Sequence, residues 1–444
     1  MLTSRSLFSG ILSLNWVLFL WETFLDWRQY CVHRDTEKRP AAVQEIITEE
    51  AFAKARAYKL DKHRFGFFTG IFGQLQTTVV LLYGVLPLLW EFSSRYPLPT
   101  VAFFMSSILL DTIVGLPFQL YDTFVIEQLH GFNKQTLGFY FTDQIKKLGL
   151  TFVLGSPVLL GVEWIVDNGG PYFFVYVWIF LSIVIFLLLT IYPEFIAPLF
   201  DKYIPLPEGA LKTDIEKLAA SLHYPLTKLY VVHGSKRSAH SNAYMYGFWK
   251  NKRIVLYDTL LSGEELEKVV KECGVDEEEC KKILAEDRGM TSDEVVAVLG
   301  HELGHWKFGH TMMNLIIVEL NLLFQLAVFA YFYKWDLLYT AFGFKDQPTI
   351  VGLILVFQYV MALYNQVIST VMNILTRKLE FQADDFAVEL GFGKQLISAL
   401  TKLGKDNLSL PIDDWLYSMC NHSHPPIPER SATIQKAMKE LKKE

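Results

Sequence analysis

Seven long apolar segments constrain the fold of this 444-residue chain more than any other feature. A helix needs about 20 mostly apolar residues to cross the hydrocarbon core of a bilayer. Segments of that length and character occupy residues 7–25, 66–92, 99–121, 148–166, 171–199, 312–333 and 349–373. We therefore expect a mainly α-helical, polytopic membrane protein with seven transmembrane helices and the lipid bilayer as a partner.

Composition agrees with a membrane protein and excludes several other classes. Hydrophobic residues make up 51% of the chain, charged residues only 20%, and mean hydropathy is +0.24. A soluble domain would carry about 25% charged residues. The formal net charge of −6 offers no basic surface, so nucleic acid is not an expected partner. The four cysteines form no C-x-x-C pair, which predicts free thiols.

The first apolar segment is expected to be a transmembrane helix that is kept in the protein and not a cleaved signal peptide. Asn15 and Glu22 interrupt the segment, and no small-residue cleavage site follows it.

The distribution of lysine and arginine predicts the orientation of the spans. Residues 26–65 hold nine basic residues and residues 122–147 hold three, against four in the short segments of the other side. Because basic residues favour cytoplasmic loops, the N-terminus is expected in the lumen and the C-terminus in the cytosol.

The apolar segments divide the chain into four expected parts. These are residues 1–199 with spans one to five, 200–311 as a cytosolic catalytic segment, 312–375 with spans six and seven, and 376–444 as a C-terminal catalytic segment. The cytosolic segment is predicted to be a small α/β domain, with a helix at 211–223, a strand at 228–233 and a hairpin of 243–249 and 253–257. Residues 264–294 are predicted to be helical, with their charged residues forming a solvated face.

Polar side chains are unusually frequent inside the predicted spans. They are Asn15, Glu22, Gln74, Gln76, Asp111, Gln119, Glu163, Glu319, Asn321, Gln325, Gln358, Asn365 and Gln366. Such groups are costly when they face lipid, so they are expected to face the bundle interior. Two interpretations remain open at this point, namely hydrogen bonds between helices and a hydrated cavity inside the bundle.

A His-Glu-x-x-His motif predicts a metal site. His301, Glu302 and His305 follow the apolar run that begins at Val295, which predicts a buried helix with Ser292 as its cap. The two histidines lie one helical turn apart on one face, so both imidazoles can reach a single Zn²⁺ ion. Glu302 is placed to take a proton from the attacking water.

A catalytic zinc site takes three protein ligands and keeps a fourth position open. A third ligand in the same stretch is excluded, because the positions three and six residues after His305 hold Phe308 and Thr311 where glycine and histidine would be needed. The best candidate is therefore a downstream carboxylate, Glu380. Asp385 and Glu389 compete with it.

The neighbourhood of Glu380 strengthens its assignment. Asp384 lies one turn further along, where it is suited to hold the ring N–H of a ligand histidine. His305 lies seven residues before the sixth span, and Glu380 lies seven residues after the seventh. Both are therefore expected at the same, cytosolic mouth of the bundle.

Six motifs spread over nearly the whole chain resemble the type I CAAX prenyl proteases, the family of multi-span zinc metalloproteases that includes the prelamin A processing enzyme. They are Glu22-Thr-Phe-Leu-Asp-Trp-Arg28, Glu127-Gln-Leu-His-Gly-Phe-Asn133, Ser241-Asn242-Ala243-Tyr244, His301-Glu302-Leu303-Gly304-His305, Glu380-Phe-Gln-Ala-Asp384 and His424-Pro-Pro-Ile-Pro-Glu-Arg430. The resemblance implies a seven-helix barrel around a water-filled chamber, capped by a zinc domain with one Zn²⁺ per chain.

The resemblance also implies an activity and a location. Its substrates would be C-terminal Cys-a-a-X sequences that carry farnesyl or geranylgeranyl, from which the last three residues are removed. Some members also cut a second site upstream. The implied location is the endoplasmic reticulum membrane, with the inner nuclear membrane as a further possibility.

Individual roles follow from the match to the family motifs. Asn242 and Ala243 would lie on the strand that binds the substrate backbone, and an extended peptide can add to such an edge. His424 would act on the transition state, where it could donate to the developing oxyanion, and Arg430 would organise the site. One departure is Arg377-Lys378, where the family commonly has two arginines. A role for the second cation is therefore uncertain, because lysine lacks the bidentate fork.

Two other functions remain open from the sequence. The chamber could serve a quality-control protease that clears polypeptides stalled during translocation. Alternatively, the polar spans could belong to a transporter or channel with a structural zinc site. A structural zinc site usually has four protein ligands, and the sequence offers three.

Overall fold

The structure is a computed structural model that describes residues 2–247, 252–275, 277–285 and 288–443. The longer helices of the membrane part are α1 Ser4–Asp35, α2 Glu49–Leu82, α3 Val85–Ser93, α4 Pro99–Tyr121, α5 Leu137–Asn168 and α6 Phe173–Ile191. The remaining helices are α7 Ala210–Ser221, α8 Gly263–Cys273, α9 Glu277–Ala285, α10 Ser292–Lys307, α11 His310–Phe332, α12 Asp336–Ala341, α13 Thr349–Ile354, α14 Ala362–Glu389, α15 Gly393–Asp406, α16 Trp415–Asn421 and α17 Ile427–Leu441.

All seven predicted spans correspond to helices that are long and apolar enough to cross a membrane. Six are continuous, and the seventh is a pair, Thr349–Val360 and Ala362–Glu389, bent by 62°. The helices are longer than the apolar segments that predicted them, because hydropathy marks only the part of a helix that suits lipid. Two breaks were missed: Gly84 adopts a φ of 61° between α2 and α3, and residues 355–360 form a π-helical turn before the bend.

The spans pack in a closed ring. Helix α1 contacts α2, α3 links α2 to α4, and α5 follows α4 in turn. Helix α6 lies between α5 and α11, the 355–360 turn packs on α11, and α14 returns to α1. The ring therefore joins the first span to the last.

The ring is hollow. In each of the six continuous spans, at most 11% of the residues in the most apolar 18-residue stretch are buried, whereas a solid bundle would bury one face of each helix. Polar side chains also pair across neighbouring helices, as in Asn15–Gln74 at 2.8 Å, Thr100–Glu163 at 2.6 Å and Ser182–Glu319 at 2.6 Å. Both interpretations of the polar spans thus hold: they bond helix to helix in a barrel with an open interior.

The segment after the fifth span forms a four-stranded sheet. Its strands are β1 Tyr203–Pro205, β2 Leu226–Val232, β3 Ala243–Tyr246 and β4 Lys252–Tyr257, in the order β1-β2-β4-β3. Strands β2 and β4 are parallel and the other two pairs are antiparallel. The predicted hairpin of β3 and β4 is confirmed, although β3 ends at Tyr246 and residues 248–251 lie outside the described part. Strand β3 is at the edge of the sheet.

One hydrophobic cluster joins this sheet to α10. Leu299 and Leu303 of α10 pack in the same cluster as Leu256 of β4 and Ala243 of β3. Helix α8 also buries Leu266, Val269 and Val270 there. Its charged residues Glu264, Lys271 and Glu272 are exposed, so α8 agrees with the solvated face of charged residues predicted for the 264–294 stretch. Residues 276, 286 and 287 of that stretch lie outside the described part.

The start of α10 differs from the prediction. Thr291 and not Ser292 is the N-cap, and its backbone N–H donates to Glu294 Oε2 at 2.8 Å in a capping box. Glu294 also accepts hydrogen bonds from Ser398 at 2.6 Å and Lys402 at 2.8 Å. Thr291 and Ser292 are both good capping residues, so local propensity does not distinguish them. The contacts of Glu294 to α15 favour the capping box with Thr291. These contacts fix the beginning of the motif helix against α15.

Candidate metal centre

Close packing of α10 on α14 brings the motif histidines to the carboxylate on α14. Gly304 lies at the closest approach, where a Cβ atom would be 3.2 Å from Ala383 Cα and 3.1 Å from Phe386 Cδ1. A side chain at this position would push against backbone that cannot move aside cheaply. The absence of a side chain at position 304 is therefore a condition for the site geometry.

Replacing this glycine should disturb the site from a distance. We expect Gly304→Val to lower stability by about 1–3 kcal/mol through overpacking, and to reduce bound metal because Glu380 moves away from the histidines. Thermal unfolding and metal content of the purified protein measure both effects. Gly66→Val is the control, since no atom lies within 4 Å of a Cβ at Gly66. Full metal occupancy at unchanged stability in Gly304→Val would contradict this account.

Three ligand atoms converge at this contact. The Nε2 atoms of His301 and His305 are 3.2 Å apart, and the Glu380 carboxylate lies 3.5 Å from the first and 3.3 Å from the second. In a tetrahedral zinc site with bonds of about 2.0–2.1 Å, ligand atoms are separated by about 3.3–3.4 Å. The observed spacing therefore fits a single small cation held by these residues, which form a cluster of potential metal ligands.

Asp384 and Arg430 fix the orientation of the first histidine. Asp384 Oδ1 accepts from His301 Nδ1 at 2.8 Å, which leaves Nε2 directed at Glu380. Arg430 donates to both Asp384 oxygens, from Nε at 2.8 Å and from Nη2 at 2.6 Å. This bidentate pair is buried, with the Asp384 side chain fully enclosed. The carboxylate is thereby held in place to orient the imidazole.

A second chain of hydrogen bonds orients His305, and the sequence did not predict it. His310 Nδ1 lies 2.8 Å from His305 Nδ1, and His310 Nε2 lies 3.1 Å from Gln382 Oε1. The amide oxygen only accepts, so His310 donates from Nε2 and accepts at Nδ1. His305 then donates from Nδ1 and keeps the lone pair of Nε2 for a ligand. A third histidine five residues after His305 was the available sequence signal.

The electrostatics of the cluster favour a positive charge between its atoms. Burial alone would lower the pKa of His301, but hydrogen bonds to Asp384 and Glu380 outweigh it and raise that pKa to about 9. Glu380 Oε2 is buried, and the nitrogens near it, among them His301 Nε2 at 3.5 Å and His424 Nδ1 at 3.0 Å, are not aligned for a hydrogen bond of normal geometry. A site that attracts a proton so strongly also suits a divalent cation, which would satisfy the carboxylate and both imidazoles at once.

Glu302 and His424 flank the converging atoms. Glu302 is half-buried next to His301 in the chain, and the structure gives it no hydrogen bond or ion pair with a described residue. His424 has a side chain that is 67% exposed, with Nδ1 3.0 Å from Glu380 Oε2. One carboxylate and one imidazole are thus available to a bound molecule.

Asn242 and Ala243, predicted to bind the substrate backbone, lie at the edge of the sheet. Asn242 is exposed, its carbonyl accepts from Tyr257 N at 3.1 Å, and its Oδ1 accepts from Ala243 N at 2.8 Å. Since backbone groups alternate along an antiparallel strand, the N–H of Ala243 faces the open edge of the sheet.

The rival carboxylates Asp385 and Glu389 do not belong to the cluster of converging ligand atoms in the described residues.

The arginine-lysine pair before Glu380 has a structural explanation. Arg377 donates to Ser418 Oγ at 2.9 Å and to Glu429 at 2.6 Å, which ties α14 to α16 and α17. Lys378 is exposed. The position where this chain departs from two arginines therefore lies on the surface.

Comparisons with known proteins agree with this architecture. Residues 29–202 match the family model described as CAAX prenyl protease N-terminal, five membrane helices, and residues 205–438 match Peptidase family M48. The chain is 59% identical to the CAAX prenyl protease 1 homolog of Caenorhabditis elegans, over 97% of each chain. It is 45% identical to the Homo sapiens homolog, over 98% of this chain and 96% of that one.

A solved structure shares the whole fold. The crystal structure of S. mikatae Ste24p is similar with a TM-score of 0.84 and 32% sequence identity, over 96% of this chain and 97% of that one. Fold, ligand cluster and relatives therefore agree over nearly the full length. The chain belongs to the type I CAAX prenyl protease family, the membrane-embedded metalloproteases of peptidase family M48.

Proposed function

We propose that this metalloprotease binds one Zn²⁺ through His301, His305 and Glu380 and removes the a-a-X tripeptide from prenylated Cys-a-a-X proteins. The observation that carries the proposal is the convergence of these three side chains at tetrahedral spacing. His301 and His305 come from α10, and Glu380 comes from α14, the helix that belongs to the last span. A protease whose site opens at the end of a membrane barrel suits a substrate that carries a farnesyl or geranylgeranyl chain.

The chain's own residues supply the proton transfers. A bound zinc ion would supply a Lewis acid that makes water a nucleophile near neutral pH. Glu302 takes the proton from the attacking water and returns it to the leaving amine. His424 donates to the carbonyl oxygen as negative charge develops there. Asp384, Arg430 and the His310–Gln382 pair keep both imidazoles in the tautomer that leaves Nε2 free.

The edge of β3 is the proposed platform for the substrate backbone. Ala243 presents its amide to the open edge, where the Asn242 side chain now caps it. An added peptide strand would take over that hydrogen bond, and main-chain bonding would hold many different a-a-X sequences. We propose a cytosolic site and a lumenal N-terminus in the endoplasmic reticulum membrane, as the basic loops indicate.

The first test compares two peptides. Purified protein should cut a farnesylated Cys-a-a-X peptide after the cysteine and release the intact tripeptide, which mass spectrometry identifies. Its unprenylated twin should be cut at least about tenfold more slowly, because the bound lipid chain contributes to transition-state binding. A zinc chelator should abolish cleavage, and added zinc should restore it.

The same assay separates this function from the quality-control alternative. Equal rates on prenylated and unprenylated peptides would favour a protease that clears stalled chains. The masses of the products also report any second cut upstream of the cysteine. Chelator-resistant cleavage would contradict the metal-dependent reaction.

A further inference from the structure

A cavity of about 380 Å³ with several polar and charged residues in its walls adjoins His424. Its walls come from Gln29 and His33 of α1, Lys59 and His63 of α2, and parts of residues 409–427. Ligand sites in proteins typically measure about 300–1,000 Å³. Because His424 lines this cavity and also lies 3.0 Å from Glu380, the cavity is next to the proposed cleavage site.

Lys59 is a cation of this cavity that makes no direct ion pair with a described residue. Among the described residues it has no hydrogen bond or ion pair, and its Nζ lies 5.8 Å from the centre of the Tyr58 ring. Two carboxylates attract Lys59 from a distance, Asp413 and Glu127. Glu127 has closer partners, since it accepts from Tyr58 at 2.8 Å and from Lys62 at 3.1 Å. An ammonium held in a cavity without compensation is unfavourable, and an incoming anion would relieve that cost.

Asp413 is a carboxylate of the same cavity and attracts Lys59, but it lies beyond ion-pair distance and contacts other groups. Asp413 Oδ1 accepts from Gln29 Nε2 at 2.7 Å, and His422 Nδ1 lies 3.9 Å from the same carboxylate. His33 and His63 lie 3.1 Å apart between Nδ1 and Nε2. Lys59 is therefore a cation that a bound carboxylate could pair with directly in this cavity.

The proposed substrate brings a carboxylate to this place. Its C-terminus lies three residues beyond the scissile bond, and three extended residues span about 10 Å. We propose that the cavity holds the a-a-X tripeptide and that Lys59 binds its C-terminal carboxylate. This inference rests on the proposed function. A bound C-terminal carboxylate would place the peptide bond three residues from the chain end at the metal site.

A comparison of two substrates tests the role of Lys59. The value of kcat/KM is measured for a farnesylated Cys-a-a-X peptide with a free carboxylate and for the same peptide with a C-terminal amide. Wild type should prefer the acid by about 10- to 100-fold, the worth of a charge-assisted hydrogen bond. In Lys59→Met this preference should fall to about one, through loss on the acid alone. Lys59→Arg should retain most of it.

Lys54→Met is the matched control. Lys54 lies on the same helix, is exposed and pairs with Glu50 at 2.8 Å, so the acid preference should stay at the wild-type value. Each preference is a ratio measured on one preparation, so partial misfolding of a variant cancels. If Lys59→Met cleaves too slowly for kcat/KM to be measured, the ratio of the dissociation constants of the two peptides for that variant replaces the ratio of kcat/KM values.

The outcomes distinguish this inference from the function on which it rests. A wild type that cuts acid and amide equally, or a Lys59→Met variant that keeps the preference, would overturn the role of Lys59 and leave the protease intact. A wild type that cuts neither peptide would contradict the proposed function itself.

Discussion

The Glu302→Ala variant is expected to retain its bound metal and to lose cleavage by about 10²- to 10⁴-fold, the usual contribution of a positioned general base. Glu302 has no hydrogen bond or ion pair with described residues, so its removal leaves His301, His305 and Glu380 in place. Metal content and single-turnover rate on the farnesylated peptide measure the two properties separately.

A carboxylate elsewhere on the same helix is the control for this variant. Asp293 lies in the first turn of α10 and is exposed, so Asp293→Ala should keep both metal and activity. Near-normal turnover in Glu302→Ala would remove this residue from the mechanism. Loss of metal in Glu302→Ala would instead make it a ligand.

Removal of Glu380 should have the largest effect on the metal itself. The Glu380→Ala variant loses one of three converging ligands, so its zinc affinity should fall by more than the roughly 10- to 100-fold that loss of an outer partner costs. Asp384→Ala, which removes such an outer partner, should fall within that range. Competition with a chelator of known affinity measures the affinities of both variants.

The rival ligands provide matched controls on the same helix. Asp385→Ala and Glu389→Ala should bind zinc as wild type does, since neither carboxylate joins the cluster in the described residues. A Glu380→Ala variant with wild-type affinity, next to an Asp385→Ala or Glu389→Ala variant that has lost its zinc, would move the third ligand to the rival position.

Hydropathy and motif spacing predicted most of the fold and the centre of the site. The seven spans follow from segments of about 20 apolar residues, because lipid imposes that length on any helix that crosses it. The two histidines follow from helical spacing, which places residues four apart on one face. Glu380 was predicted as the best downstream carboxylate, and topology supported that choice, since two spans between His305 and Glu380 return the chain to the same side.

The features that sequence patterns missed depend on contacts between distant segments. The relay from His305 through His310 to Gln382 includes a hydrogen bond between His310 and Gln382, which are 72 positions apart, and no local periodicity indicates it. The sequence also gives no sign that Gly304 lies against Ala383 of another helix, where a Cβ atom would be too close. The cap of α10 was assigned to Ser292 and not Thr291 because local propensity did not distinguish them. The cavity around Lys59 likewise brings α2 to the loop before α17.

Crystals examined by anomalous diffraction at the zinc absorption edge test the central claim most directly. The account predicts one anomalous peak per chain, about 2.0–2.2 Å from His301 Nε2, His305 Nε2 and a Glu380 oxygen. A peak at another position, or crystals of active protein with no zinc between these three side chains, would contradict it.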